Sequence, residues 1–188
     1  MSQINNPVSY YKSVIRAVGF SPSMLKYREV QFKKFCKKYD LKNKKVLEIG
    51  SGTGDYLSIL SKIFSNSYGL ESSKKNINIC KKKGLKVIKG FLTKQNKIIT
   101  KNKFDAFFIF SYLEHIPNIN TFLKAIYNNL VDDGVGIVEV PNFDMILKKK
   151  LYSEFIIDHL FYFTKKTLKK TLKKNGFKVL KIDNIWSD

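Results

Sequence analysis

The sequence predicts an α/β protein with a doubly wound, mostly parallel sheet. Segments with strand and helix patterns alternate from residue 45 onward without an internal repeat. The run from Phe104 to Phe110 is apolar at nearly every position, which indicates a central strand covered on both faces. Glycine or polar residues mark the ends of the first, second and fourth predicted strands, at Gly50–Gly54, Glu71 and Ser111–His115. Such sheets bind ligands at the carboxyl ends of their strands, so we expect the functional site there.

Local signals define the individual elements. A helix over 22–39 begins where Ser21 can cap the first turn and Pro22 takes the first helical position. Further helices are expected over 54–64, from Ser72-Ser73 to Gly84, after Asn118, and from Thr164 to Asn175-Gly176. The expected strands cover residues 45–49, 67–71, 86–88, 104–110, 135–140 and 177–185. Residues 141–163 form an irregular segment that is long for a connector.

Length and composition bound the class of protein. The 188 residues suit a single domain, which we divide into an N-terminal helical cap over 1–40 and an α/β core over 41–188. No apolar run reaches the roughly 20 residues that span a bilayer, and the N-terminus lacks the pattern of a signal peptide. Cys36 and Cys80 lack CxxC spacing, so a reducing, cytoplasmic location is expected.

The net charge of +20 raises the question of a nucleic-acid partner. Arginine, which is suited to bidentate contacts with phosphate and guanine, occurs only as Arg16 and Arg28. Many lysines fall on the solvent faces of predicted helices, as in the pairs Lys165-Lys166, Lys169-Lys170 and Lys173-Lys174. A solvated lysine surface is therefore the better interpretation, and nucleic acid is not the expected partner.

The glycine turn after the first strand fits neither a dinucleotide nor a nucleoside triphosphate. Its spacing is Gly50-x-Gly52-x-Gly54 rather than GxGxxG, and no Gly-Lys-Ser/Thr sequence follows it. Glu48 and Asp55 make the turn acidic, which suits a cationic ligand better than a pyrophosphate. Glu71 ends the second strand, where a carboxylate can accept hydrogen bonds from both hydroxyls of a ribose.

Three ordered motifs resemble those of class I S-adenosylmethionine-dependent methyltransferases. Val46–Gly54 looks like their first motif, Phe104–Pro117 like their fourth-strand motif, and Leu130–Asn142 like their fifth-strand motif. The resemblance implies a Rossmann-like fold with S-adenosylmethionine as cofactor. The cofactor-binding residues that it implies are Glu48, Gly50, Ser51, Gly52, Gly54, Asp55, Glu71, Ser72, Phe91 and Ser111. It also implies a seventh, antiparallel strand that these residues lack, so we expect either a fragment or an edge completed by another chain, as in a homodimer.

A narrower resemblance concerns the residues expected around the acceptor, including segment 141–163. Val140–Asp144 and Asp158–Thr164 look like segments of methyltransferases acting on sugars and related small metabolites, in particular C-methyltransferases of nucleotide-linked deoxysugars. Tyr112, Glu114 and His115 match the Tyr-x-Glu-His segment that lines the acceptor site of that group, which implies catalytic roles with His115 as base. The residues expected on the acceptor side are Tyr11, Asn142 and His159. The zinc module and C-terminal domain typical of that group have no counterpart in these residues.

The expected function is S-adenosylmethionine-dependent methyl transfer to a small molecule, such as a sugar, a nucleotide sugar or a related cell-envelope or secondary metabolite. Two alternatives stay open: a non-catalytic or truncated cofactor-binding module, and a nucleic-acid or protein methyltransferase. The sequence does not identify the acceptor or distinguish methylation of carbon, oxygen and nitrogen. No metal site is expected, because Glu114 and His115 are adjacent and no third ligand is evident.

Overall fold

The computed structural model describes residues 20–185, in which five strands form one wholly parallel sheet. The strands are β1 Lys45–Ile49, β2 Asn66–Glu71, β3 Val87–Lys89, β4 Phe104–Phe110 and β5 Leu130–Glu139. Their spatial order is β3-β2-β1-β4-β5, so the chain first extends the sheet on one side of β1 and then on the other. The predicted doubly wound α/β fold is confirmed, and its switch point lies between β1 and β4.

Six helices connect and flank the strands in this part of the chain. They are α1 Pro22–Lys38, α2 Asp55–Ile63, α3 Lys74–Lys82, α4 Ile119–Asn128, α5 Phe143–Lys148 and α6 Lys165–Lys174, with short 3₁₀ turns at Leu113–His115 and Tyr152–Glu154. The side chains of Ser21, Ser73, Asn118 and Thr164 accept hydrogen bonds from backbone N–H groups in the first turns that they cap. The helix starts expected from the sequence are therefore confirmed within one or two residues.

The apolar run of β4 supplies both layers of the core. Ala106 and Phe108 belong to the cluster under α1 and α2, which also contains Phe32. Phe107 and Ile109 belong to the cluster on the opposite face, where α4 and α6 pack. Because alternate residues of a strand point to opposite faces, a central strand needs apolar residues at both sets of positions.

The last predicted strand, over 177–185, is wrong. Phe177, Val179 and Ile182 pack against the core but form no ladder with β5. This segment and β5 both line a groove of about 1380 Å³, and no strand pairing joins them within the described residues. β5 is itself longer than predicted and begins at Leu130, because its register with β4 shifts between Phe104 and Ala106. The homodimer through the sheet edge stays a prediction, which light scattering in solution can test.

The segment over 141–163 is irregular, as expected, and it returns to the carboxyl end of the sheet. Asn142 and Phe163 form an isolated parallel bridge, in which the Phe143 N–H donates to the Phe163 carbonyl at 2.9 Å. We call residues 155–163 the strap. The N–H groups of Leu160 and Phe161 both donate to the Glu114 carbonyl, at 2.9 and 3.2 Å. The strap is therefore fixed to the turn that follows β4.

None of the helices within residues 20–185 combines the length and apolar character needed to cross a bilayer. The two cysteines are both buried thiols without a disulfide partner. The division into a cap over 1–40 and a core over 41–188 stays a prediction.

Candidate active site

The glycine turn after β1 has left-handed backbone angles at all three glycines, with φ of 75° at Gly50, 53° at Gly52 and 82° at Gly54. A Cβ on Gly50 would overlap the ring of Tyr112. A Cβ on Gly54 would lie 2.6 Å from the nearest methyl carbon of Leu85. At these two positions glycine makes room for protein side chains.

Glu71 joins the glycine turn to the beginning of α3. Its Oε2 accepts a hydrogen bond from the Gly52 N–H at 2.9 Å, and its Oε1 accepts from the N–H groups of Ser72 and Ser73 at 2.9 and 2.7 Å. A carboxylate offers about four acceptor positions, so these three bonds leave room for a further donor. The side chain is only 8% exposed, at the carboxyl end of β2 where a ribose was expected.

Glu48 is a buried carboxylate that lacks a full set of hydrogen bonds. Its Oε2 has no partner among the described residues, and the side chain lies at the end of β1 beneath the turn. Burial, followed by the charges of Asp55 and Glu71, raises the pKa of Glu48 well above its usual value. A cationic group beside this carboxylate would offset both causes. The ammonium group of S-adenosylmethionine therefore fits the residues present.

The other residues expected around the cofactor have varied surroundings. Asp55 begins α2, and its carboxylate accepts from the Thr53 hydroxyl at 2.5 Å and pairs with Lys83 at 3.1 Å. Burial alone would raise the pKa of Asp55, but these bonds lower it. The hydroxyl of Ser51 is buried and has no partner within residues 20–185. Phe91 is buried shortly after β3, and exposed Ser111 follows β4 with a left-handed φ of 44°.

A second group of polar side chains lies at the end of β4, where the strap meets the 3₁₀ turn. His115 Nδ1 lies 2.8 Å from the carbonyl oxygen of Asp158. Since a carbonyl can only accept, Nδ1 carries the hydrogen, and Nε2 keeps its lone pair in the neutral ring. That Nε2 lies 4.0 Å from Glu114 Oε1, which is too far for a hydrogen bond.

The side chains of Glu114 and His159 complete this group, and neither has a hydrogen bond within the described residues. Both carboxylate oxygens of Glu114 and the Nδ1 of His159 are buried and unpartnered among the described residues. Burial raises the pKa of Glu114 to about 8 and lowers the pKa values of both histidines. The two imidazole rings are 4.8 Å apart between centroids, although 44 positions separate them in the sequence. The sequence did not predict this contact.

Tyr112 connects the two parts of the site. Its ring packs on Gly50 of the glycine turn, while the next residue, Leu113, begins the 3₁₀ turn of Glu114 and His115. Burial, with a smaller contribution from the charge of Glu71, raises the pKa of its hydroxyl. The three predicted catalytic residues are thus brought together at the carboxyl end of β4, next to the glycine turn.

The structure does not place Asn142 and Tyr11, two residues expected on the acceptor side, with the catalytic group. Asn142 caps α5 by accepting from the Asp144 N–H at 3.1 Å, and its amide nitrogen donates to Asn184 at 3.1 Å. These bonds give its side chain a structural role, and contact with the acceptor stays a prediction. Tyr11 lies outside the described residues.

Arg28 is a buried residue of the site region that the sequence analysis missed. It forms an ion pair with Glu139 at the end of β5 and donates to Gln31 at 2.8 Å. Its guanidinium lies 4.3 Å from the ring centroid of Phe110 and 5.0 Å from that of Tyr56. The side chain therefore fixes α1 over the carboxyl ends of β4 and β5. Its rarity was the available signal, because the chain has only one other arginine.

Comparison with known proteins agrees with this geometry. A family model described as a methyltransferase domain matches residues 24–182. The C-methyltransferase NovU of Streptomyces niveus is 24% identical over 140 residues, which cover 73% of this chain and 33% of that protein. The chain thus spans about a third of the length of this curated relative.

Two solved structures show the same fold. A S-adenosylmethionine-dependent methyltransferase from Clostridium acetobutylicum aligns with a TM-score of 0.67 and 18% identity, over 92% of this chain and 87% of that one. CalS10, an amino pentose methyltransferase from Micromonospora echinaspora with bound S-adenosylmethionine, aligns with a TM-score of 0.54 and 17% identity. That alignment covers 69% of this chain and 60% of CalS10.

Proposed function

Because the chain belongs to the family of methyltransferase domains, we propose that it transfers a methyl group from S-adenosylmethionine to a small-molecule acceptor. The observation that carries the proposal is the junction at Tyr112. On one side of this residue lies the glycine turn with Glu48 and Glu71, and on the other lie Glu114 and His115. A donor site and an acceptor site in direct contact are what a transfer reaction requires.

The cofactor half of the site would hold the donor through two carboxylates. Glu48 would stabilise its ammonium group, and the free acceptor position of Glu71 would take a ribose hydroxyl. When bound, S-adenosylmethionine supplies a methyl group whose bond to sulfur breaks as the acceptor atom bonds to carbon, with the electron pair returning to sulfur. The residues of the chain then have two tasks, to align the acceptor and to remove its proton.

The two tasks differ in size. Alignment of two reactants lowers a barrier by up to about 7–11 kcal/mol, whereas a positioned base contributes roughly 10²–10⁴-fold, or about 3–5 kcal/mol. Positioning is thus the larger contribution, and we assign it to the strap and α1. We assign the smaller contribution to His115, whose Nε2 lone pair can accept the acceptor's proton while its Nδ1 hydrogen stays bonded to Asp158.

We propose a sugar, a nucleotide sugar or a related metabolite as the acceptor, in a cytoplasmic protein. Support comes from CalS10, which acts on an amino pentose, and from NovU, which is a C-methyltransferase. The match of Tyr112, Glu114 and His115 to a sugar-methyltransferase segment supports the same class. Since the chain spans a third of NovU, the reaction of the whole protein is part of the proposal.

Radiolabelled methyl transfer tests the proposed function. The protein is incubated with S-adenosylmethionine labelled in the methyl group and with a panel of nucleotide sugars and free sugars. We expect label in at least one acceptor and tight cofactor binding by calorimetry, both retained in Glu154→Gln as a matched control. Cofactor binding without transfer to any sugar would contradict the acceptor class and favour the alternative of a cofactor-binding module.

The alternative of a nucleic-acid methyltransferase has one supporting feature. The lysines of α6 are all exposed, and Lys166, Lys169 and Lys173 are among those lining a shallow depression. The apolar residues of α6, Leu168 and Leu172, face the core, as expected for an amphipathic helix whose lysines are solvated. Transfer of label to RNA or DNA, but not to sugars, would favour this alternative.

A further inference from the structure

We propose that Glu114, His115 and His159 form a binding site for one divalent transition-metal cation. The proposal goes beyond methyl transfer, and its binding test does not depend on the acceptor. The sequence predicted no metal site here, because it showed no third ligand beside Glu114 and His115. The fold supplies that ligand from the strap, which brings His159 next to the 3₁₀ turn.

The donor atoms lie close enough together to share an ion. One ligand atom from each of the three residues lies within 4.8 Å of the other two. Ligands at about 2.0–2.1 Å from a tetrahedral ion are about 3.3 Å apart. Each donor atom would therefore have to move by about 1 Å to bind one ion.

Burial without partners is the second observation. Glu114 is 1% exposed, and neither of its oxygens has a hydrogen-bond partner in the described part of the chain. The His159 Nδ1 is also buried and unpartnered there. A buried polar group without a partner costs roughly 1–3 kcal/mol, and more when charged. Three unpartnered atoms on these two side chains are explained if a cation satisfies them together.

The orientation of His115 agrees with ligation. Its Nδ1 hydrogen is donated to the Asp158 carbonyl at 2.8 Å, which leaves the lone pair on Nε2, 4.0 Å from Glu114 Oε1. Histidine ligands of metal ions usually donate their other ring hydrogen to a carbonyl or carboxylate in this way. The N–H bonds from Leu160 and Phe161 to the Glu114 carbonyl hold the strap and the turn in register. The site is therefore prearranged from two segments.

The donor set indicates the class of ion. Two imidazoles and one carboxylate suit Zn²⁺, Co²⁺, Ni²⁺ or Fe²⁺ rather than Mg²⁺ or Ca²⁺, which prefer oxygen ligands. Three protein ligands leave a coordination position open, as in catalytic rather than structural zinc sites. An acceptor hydroxyl bound there would be polarised by the cation and would release its proton to solvent water, because the His115 Nε2 would bind the cation instead of accepting that proton.

The first experiment measures metal binding to the full chain. The protein is treated with a chelator, dialysed, and titrated with Zn²⁺ by calorimetry and with Co²⁺ by visible absorption. We expect one equivalent to bind, with absorption bands typical of Co²⁺ bound to nitrogen and oxygen. Glu114→Gln and His159→Gln should each weaken binding at least about tenfold, since even residues that only orient metal ligands typically change affinity 10–100-fold.

Controls separate the site from adventitious binding. Glu154→Gln removes a carboxylate that belongs to the 141–163 segment but not to the proposed metal site. This variant should bind Zn²⁺ and Co²⁺ as wild type does. Cys36 and Cys80 are buried and are not members of the group. Thermal unfolding of each variant without metal checks that it folds, and Zn²⁺ should raise the melting temperature of wild type but not of His159→Gln.

The opposing results are equally clear. The proposal is wrong if wild type binds no stoichiometric Zn²⁺ or Co²⁺, or if Glu114→Gln and His159→Gln bind it as wild type does. Cofactor calorimetry on the same samples separates this result from the proposed function. Metal binding without S-adenosylmethionine binding would contradict the function alone, and the converse would contradict the metal site alone.

Discussion

Glu71 and Glu114 are both buried carboxylates at the carboxyl edge of one sheet, but their hydrogen bonding is opposite. Glu71 accepts three backbone N–H groups, and it ties the glycine turn to the first turn of α3. The side-chain carboxylate of Glu114 accepts none within residues 20–185, and its pKa is raised to about 8 by burial. The cofactor side is thus held together by its own bonds, whereas the acceptor side keeps unsatisfied groups that a ligand can satisfy.

The largest expected difference between the two sides is in turnover. His115→Ala should lower methyl transfer at least tenfold, within the roughly 10²–10⁴-fold range of a lost general base. The affinity for S-adenosylmethionine should stay near the wild-type value, because His115 does not contact the glycine turn. Initial rates with labelled donor and calorimetry measure the two quantities. Unchanged turnover would remove His115 as the base.

On the cofactor side the expected effect is on affinity. Glu71→Ala should weaken S-adenosylmethionine binding about tenfold or more, because hydrogen bonds to charged groups contribute about 1.5–3 kcal/mol. Glu29→Ala is the matched control, since it removes an exposed carboxylate that pairs with Lys33 on α1 and should change affinity little. Equal affinities of Glu71→Ala and wild type in calorimetry would sink the assignment of the ribose to Glu71.

The same amide substitution on the two sides should have opposite effects on stability. Glu71→Gln replaces one acceptor oxygen by an amide NH₂ group, which would face a backbone N–H donor. The free energy of unfolding of the metal-free protein should therefore fall by about 1–3 kcal/mol. Glu114→Gln breaks no hydrogen bond and removes a buried ionisable group, so its free energy of unfolding should be unchanged or higher. Urea denaturation measures both. The reverse order would contradict the proposed contrast.

The smallest expected effect is on the pH dependence of stability. The pKa of Glu48 is higher in the folded chain than its usual value of 4.5, so the folded state retains this proton to higher pH. Stability should therefore fall as pH rises above about 4.5, and Glu48→Gln should make that slope shallower. Saturating S-adenosylmethionine should also make this slope shallower in wild type, because its ammonium group would place a cation beside the Glu48 carboxylate. Parallel slopes for Glu48→Gln and wild type would show that Glu48 does not contribute to the pH dependence of stability.

Much of the fold was predictable, because local chemistry determines it. The continuous apolar run of β4, the glycine turn and the capping residues each depend on neighbours a few positions away. The resemblance to class I methyltransferases, based on three such motifs, is confirmed by the family match over residues 24–182. The prediction of a strand over 177–185 was wrong because alternating apolar residues indicate only that one face is buried. They do not indicate whether a neighbouring strand is close enough to pair.

The acceptor side was harder to predict, because long-range backbone contacts shape it. Leu160 and Phe161 place the strap through N–H groups, which every residue except proline carries, so no sequence pattern marks the bond to Glu114. The contact of His159 with His115 follows from that placement. Arg28 was missed for a related reason, since a charged helical residue suggests a solvent face until its partner on a distant strand is known.

The fixed end of the strap has a consequence for protein engineering. Residues 158–161 carry the bonds to the 3₁₀ turn, whereas Tyr152 and Ile157 before them are 71% and 87% exposed. The His159 N–H donates to the Ile156 carbonyl at 3.0 Å, so residues 149–153 are the part that can be lengthened or exchanged while His159 keeps its position. We expect libraries confined to those residues to change which acceptors are accepted, with the reacting groups left in place.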